Sequence, residues 1–285
     1  MSTARRALVL AGGGFAASAW ETGLVSGMAS AGVDLRNCDL FVGTSSGARV
    51  ALHLASGVDL EELHHQQLSP PRRLGGPPPA VDWRKVSAEW ARAKEAGGDS
   101  AAILRRVGAL ALAIAGTDHG ARRKEVAGQL PVEAWPEKNL LIVTVNANTG
   151  ERRALDCASG ASLVDAIVAT TAFFGWPAAV IEGQPYIDGG FYSSDNADLA
   201  SGFDQVFVLA LRAPVPSLSV ISLDGAVDTL RMAGTSVTVI HPDEQCLAAF
   251  ASVGSAMNPA VRVPAAKAGR AQGLKLVEKG HLSLE

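Results

Sequence analysis

Residues 39–55, DLFVGTSSGARVALHLA, decide how this chain reads. The start, DLFV at 39–42, is a short apolar run of the kind that forms a buried strand. GTSSG at 43–47 follows at once, and Val50 and Leu54 then recur at helical spacing. A serine between two glycines, where a strand turns sharply into a helix, fits G-x-S-x-G with Ser45 in the centre. The chemistry needs this spacing. A nucleophile projecting from such a turn holds a strained backbone, and Gly43 and Gly47 remove side chains that would collide. The helix that follows aims its positive N-terminal end at a developing oxyanion.

Upstream, ALVLA at 7–11 is another apolar run, stopped by Gly12-Gly13-Gly14. Continuous apolar strands of this sort belong to parallel sheets covered on both faces. A helix follows, with Trp20, Leu24, Val25 and Met28 at helical spacing and Gly32 closing it. Strand, glycine turn and helix thus occur twice in succession, the grammar of an open α/β fold. Consecutive glycines let backbone N–H groups face an anion closely, which suits an oxyanion hole. It suits a phosphate equally: Gly12, Gly14 and Ala17 match the dinucleotide fingerprint G-x-G-x-x-G/A. A dinucleotide-binding oxidoreductase needs an acidic residue at the end of the second strand, where this chain has GTSSG. That substitution turns the reading toward hydrolysis and leaves the oxidoreductase as the rival.

Downstream, residues 69–83 (SPPRRLGGPPPAVDW) read as an extended loop. Residues 60–68 and 86–96 read as polar helices, and 101–115 as an amphipathic-to-apolar helix carrying Arg105 and Arg106. The stretch from 60 to 130 is expected to be a helical insertion in a single domain spanning 1–285. Its apolar helix, with Leu104, Val107, Leu110, Leu112 and Ile114, reads as a core helix or as a cover that touches a membrane. The α/β pattern resumes with a strand at 140–145, a turn at Asn148-Thr149-Gly150 and a hairpin partner at 153–156. SLVDAIVATTA at 162–172 is a helix with Ser162 as N-cap and Asp165 in the capping-box position. Short strands at 177–181 and 186–187 flank a turn at Glu182-Gly183-Gln184. Asp188-Gly189-Gly190 follows, a carboxylate whose approach to another group the two glycines leave open. Residues 206–211 and 236–240 are late buried strands, and 265–285 a polar, helical tail.

The histidines are weaker candidates. The order Ser45, Asp188, His241 copies that of α/β-hydrolases, yet Ser45 follows only the second strand, too early for their layout. His64-His65, beside Glu61 and Glu62, reads as a polar helix face rather than a ligand set. Trp20, Phe173, Phe174 and Trp176 read as packing, with those at 173–176 also placed to line an acyl pocket. Apolar residues make up 48% of the 285 and charged residues 19%, below the roughly 25% of ordinary domains, so a well-filled core is expected. A net charge of −3 offers no basic surface for nucleic acid. No apolar run approaches the roughly 20 residues that span a bilayer, and the first one is too short for a signal peptide. Cys38, Cys157 and Cys246 are widely spaced and odd in number, which reads as buried, reduced thiols of a cytoplasmic protein.

Taken in order, the glycine-rich turn, GTSSGA, SLVDAIVATTA and DGG resemble the patatin-like phospholipase family. The resemblance covers about residues 6–55 and 140–245. NPAVRVPAAKAGRAQG at 258–273 is similar to bacterial members of the actinobacterial type. The resemblance implies a three-layer α/β/α fold and hydrolysis of acyl esters of lipids; the apolar runs themselves point to a mainly parallel sheet, and the cover reading of the helix at 101–115 to peripheral contact with a membrane. The resemblance also implies a Ser–Asp dyad with Ser45 as nucleophile and Asp188 as base, followed by Gly189 and Gly190. By the same resemblance the backbone of Gly12, Gly13 and Gly14 is expected to form the oxyanion hole, and no metal or organic cofactor is implied. Two departures stand out. Phe15-Ala16-Ala17 replaces the usual basic residue and glycine, and Phe173-Phe174-Gly175 precedes Trp176-Pro177 where a proline usually follows the helix. Acyl transfer to another acceptor, or a lipid-binding relative without turnover, are the alternatives. A carboxylate base predicts a pH profile with no essential limb near the histidine pKa of about 6.5.

Overall fold

Apolar residues alternate between two cores along the central strands. In β1 (Arg6–Leu10), Leu8 and Leu10 enter one core, Ala7 and Val9 the other. In β2 (Leu40–Thr44), Phe41 turns one way and Leu40 and Val42 the other. Both faces are covered, which is why these strands read as unbroken apolar runs. The computed structural model describes residues 4–69, 80–211 and 218–280. Residues 70–79 of the expected Pro-rich loop and 281–285 of the tail lie outside the described residues.

Around the first two strands come α1 (Gly14–Ser30), α2 (Ser46–Ala55) and α3 (Leu60–Leu68). Then follow α4 (Trp83–Glu95), α5 (Ser100–Ile114) and α6 (His119–Ala127). The second half supplies β3 (Asn139–Asn146), β4 (Arg152–Leu155), α7 (Leu163–Thr170), β5 (Ala179–Ile181) and β6 (Gln184–Asp188). It ends with β7 (Gln205–Leu209), α8 (Leu223–Met232), β8 (Ser236–Ile240), α9 (Glu244–Ala251) and α10 (Arg262–Glu278). The eight strands form one sheet in the order β5-β6-β3-β2-β1-β7-β8, with β4 also paired to β3. Helices α1, α2, α7 and α10 cover one face, and α8 with a 3-10 turn at Ala197–Ala200 covers the other, giving an α/β/α fold.

The sheet is mainly parallel, as expected, with an antiparallel flank at β4, β5 and β6. Parallel ladders join β1 to β2 and β7, β2 to β3, and β7 to β8. Antiparallel ladders join β3 to β4, β3 to β6 and β5 to β6. The registers explain how this serves the site. One flank of β3 is taken by β4 through residues 142–145. The other flank is shared: β2 runs along residues 139–143, and β6 continues along 144–146 from the opposite direction. Thr44 pairs with Val143 and Asp188 with Thr144, so the C-terminal ends of β2 and β6 meet head to head.

The expected insertion divides in two. Leu60 and Leu63 of α3 are buried in the main core with α1. α4 and α5 build a separate core: Val86, Trp90, Leu104 and Val107 pack with Val145, Ile187, Phe174 and Phe191. The tail is helical as expected, over Arg262–Glu278, and it packs closely on α1. Gly23 and Gly27 of α1 face Gly269 and Gly273 of α10. A Cβ on Gly23 or Gly27 would lie 2.1 or 2.2 Å from a carbonyl oxygen of α10, and one on Gly273 would lie 2.2 Å from Leu24 O. Two glycine pairs, each four residues apart, thus let the backbones touch. Cys38 and Cys246 are buried as expected, whereas Cys157, in the turn after β4, is exposed. Among the described residues, no single helix is long and apolar enough to cross a membrane.

Candidate active site

Ser45 stands between β2 and α2 with φ 53° and ψ −124°. A non-glycine residue holds such a positive-φ backbone only where its surroundings impose it. Two neighbours do so by close approach. A Cβ on Gly43 would lie 2.4 Å from Ala48 Cα, and one on Gly47 would lie 2.4 Å from Leu10 O. The third constraint is Thr170, at the end of α7, which the sequence reading did not single out. Its Oγ1 accepts the Ser45 N–H at 2.9 Å and donates to Val143 O at 2.6 Å. The turn is thereby tied to β3. Nothing in the spacing of ATTA distinguishes Thr170 from its neighbour, because the tie depends on a strand 27 residues away.

Asp188 ends β6 and is buried. Its Oδ1 accepts the Gly190 N–H at 2.8 Å. Gly189 lies across β3, where a Cβ would come within 2.4 Å of Val143 O. Burial pushes the Asp188 carboxyl up to about 7, against smaller downward pulls from the Ser45 hydroxyl and the Gly190 N–H. Oδ2 has no hydrogen bond of normal geometry. The Ser45 contact is therefore looser than a formed hydrogen bond. The structure thus brings together the two side chains expected from separate motifs, on the abutting ends of β2 and β6.

The glycine turn divides its tasks. The Gly12 N–H is donated to Ser194 O at 2.7 Å, so it is not open to an incoming oxyanion. What Gly12 provides is proximity, since a Cβ there would lie 3.0 Å from Ser45 Cβ. Among the described residues, the Gly13 and Gly14 N–H groups have no hydrogen-bond acceptor. Apolar side chains border them: Leu211 stands against Gly13, and Met257 Sδ against Gly14. Beneath the site, Asn196 Nδ2 donates to Thr44 Oγ1 at 3.0 Å and to Ser193 O at 2.8 Å, bracing the end of β2. This brace also escaped the sequence reading.

Other candidates lie elsewhere. His241 directs Nδ1 at Ala210 O, 2.7 Å away, so that nitrogen donates to a carbonyl. His64 is buried and His65 exposed, so the pair does not converge. Phe173, Phe174 and Phe191 form an aromatic cluster with centroids 4.8 to 5.2 Å apart, Phe173 stacked on Phe191 and Phe174 set edge-on to them, joined to the α4–α5 core. A groove of about 460 Å³ runs beside β4 and contains neither Ser45 nor Asp188. Its arginines are already paired, Arg152 with Asp198 and Arg153 with Glu182.

Residues 8–201 match the sequence profile of patatin-like phospholipases. A sequence comparison with curated proteins gives no significant match. Among solved structures, the chain is similar to VipD from Legionella pneumophila, with a TM-score of 0.50 and 14% identity, covering 98% of this chain and 67% of that one. The type III effector ExoU gives a TM-score of 0.47 and 13% identity, covering 99% of this chain and 54% of its own. Human GIVD cytosolic phospholipase A2, in complex with methyl γ-linolenyl fluorophosphonate, gives 0.44 and 10%, covering 97% and 58%.

Proposed function

This chain belongs to the patatin-like phospholipase family, and on that premise we propose that it is a serine acyl hydrolase that cleaves carboxylic esters of lipids through Ser45 and Asp188. The observation that carries the reading is the meeting of β2 and β6 on one flank of β3, which sets the two residues side by side. Asp188 takes the hydroxyl proton as Ser45 Oγ attacks the ester carbonyl. A carboxyl with an ordinary pKa is a weak base, and burial raises this one to about 7, near the working range of a general base. The tetrahedral oxyanion faces the N–H groups of Gly13 and Gly14. Collapse releases the alcohol, which leaves with the proton. Water, activated by Asp188 in turn, frees the acid from the acyl-enzyme.

The test is hydrolysis of p-nitrophenyl esters of rising acyl length. Wild type turns them over, and Ser45→Ala, folded by its melting curve, loses orders of magnitude in rate. A folded Ser45→Ala protein that works near the normal rate contradicts the proposal. Acyl transfer is scored in the same assay by adding a short alcohol and following ester product against free acid.

A further inference from the structure

A polar stripe runs along α2 away from the nucleophile. Ser46, Arg49, His53 and Ser56 recur at helical spacing, and all four are half-buried. Ser46 Oγ, His53 Nδ1 and Ser56 Oγ are buried atoms with no hydrogen-bond partner. Arg49 donates from Nη1 to Gln129 Oε1 and, among the described residues, has no carboxylate at ion-pair distance. A guanidinium carries five N–H donors, so most of those on Arg49 are uncommitted. Burial first, and then Arg122, pull its pKa down to about 10. It remains a cation in a place that disfavours one, and a bound anion would relieve that.

Arg122 completes the arrangement from α6. Nη1 pairs with Glu125 at 3.0 Å, and Nη2 donates to Thr171 Oγ1 at 3.1 Å. The guanidinium rests on the Trp176 ring, 4.2 Å from its centroid. Its side chain is only 10% exposed, and its Nε is buried without a partner. Thr171 adjoins Thr170, the residue that holds the Ser45 N–H. Arg49 lies four residues beyond Ser45, about 6 Å along the helix axis. His53 adds no charge, because burial pushes it down to about 4. Two guanidiniums and one carboxylate leave an excess positive charge one helical turn from the nucleophile.

The position of that charge selects the part of the substrate it can hold. The carboxylate released from an ester forms at Ser45 itself. An anion held a helical turn away is a second charge of the substrate, and in a lipid ester, whose acyl chain is neutral hydrocarbon, that charge sits on the alcohol side. Paired planar forks of N–H donors match the oxygens of a phosphate group. We propose that Arg49 and Arg122 form an anion subsite for the phosphodiester of a glycerophospholipid, and so decide between charged and neutral lipid esters. The inference rests on the hydrolase reading of Ser45.

Two arms of one experiment separate the two claims. The first uses full-length Ser45→Ala protein in titration calorimetry with sn-glycero-3-phosphocholine, inorganic phosphate and glycerol. The glycerophosphodiester binds, glycerol does not, and adding Arg49→Gln weakens binding by about tenfold or more. Binding of inorganic phosphate without the diester overturns the headgroup assignment, and so does diester affinity that ignores Arg49. This arm needs no turnover, so it stands even if the hydrolase reading fails. The second arm compares kcat/KM for dibutyroyl phosphatidylcholine and tributyrin. Arg49→Gln lowers the phosphatidylcholine-to-tributyrin ratio by about tenfold, and an unchanged ratio in a folded variant overturns the proposal. If Arg49→Gln does not fold, Arg49→Lys keeps the charge and loses the fork. An unchanged ratio in that variant is equally fatal.

Discussion

Asp188→Asn should destroy activity and strengthen the fold at the same time. The carboxyl is held at about 7 by burial, against 3.8 when exposed to water. Its folded pKa is raised, so between those values the folded chain binds more protons than the unfolded one. Stability is then lost as pH rises from about 4 through 7, by about 1.4 kcal/mol for each pH unit. Over the interval the ceiling is about 4 kcal/mol, and relaxation around the charged form is expected to bring the observed figure to about 2–4 kcal/mol. Asparagine keeps an oxygen to accept the Gly190 N–H and has no charge to bury. The assay is urea denaturation of wild type and variant at half-unit steps from pH 4 to 8.5. The two midpoints should coincide near pH 4 and diverge above it, with the variant the more stable. A difference that stays constant across the range, or a variant that is the weaker at pH 8, refutes the reasoning. This trade is common in active sites, where groups are held in environments that suit chemistry rather than stability.

Three other outcomes follow from the same geometry. Thr170→Val strips the Ser45 N–H and Val143 O of a shared partner; it should cost about 1–3 kcal/mol in thermal or urea unfolding and lower kcat more than it raises KM, and a variant with normal stability and kcat would remove Thr170 from the account. His241→Ala should keep most of the esterase rate because its Nδ1 is spent on Ala210 O; a folded variant as inactive as Ser45→Ala would place the chain with the triad hydrolases. Esterase activity should rise with pH through about 7 as Asp188 loses its proton, and a rate that peaks near pH 5 would contradict that assignment. Such a limb falls where a histidine limb also would. The expectation of a profile without one near neutrality is therefore withdrawn, and the Asp188→Asn and His241→Ala variants carry the distinction.

The local parts of the site were legible because local sterics write them into the chain. The turn at 43–47 needs its glycines where Ala48 and Leu10 crowd them, and the helix at 162–172 announces itself through Ser162, whose side chain accepts the Asp165 N–H. The short strand before Asp188 and the hairpin partner of β3 were also readable from alternation and turn residues. What was not legible depends on register between distant segments. That β6 continues the flank where β2 stops is fixed by two separate pairings, Thr44 with Val143 and Asp188 with Thr144, between segments far apart in sequence, and no local pattern states it. The same is true of Gly12, whose N–H is diverted to Ser194. It holds also for α3, whose polar look hides Leu60 and Leu63. The glycine pairs of α1 and α10 read singly as weak helix positions, and only their meeting shows a packing role. Arg49 carries no local signal either, because its setting is made by Gln129 and Arg122 from a distant segment.

The central claim is that Ser45 is an activated nucleophile and that Asp188 activates it. Treating the intact protein with a fluorophosphonate and mapping the adduct by peptide mass spectrometry tests this most directly. The account predicts a single modified serine, Ser45, and labelling that slows by orders of magnitude in folded Asp188→Asn protein. Absence of an adduct on Ser45, or labelling at the same rate without the Asp188 carboxylate, would contradict it.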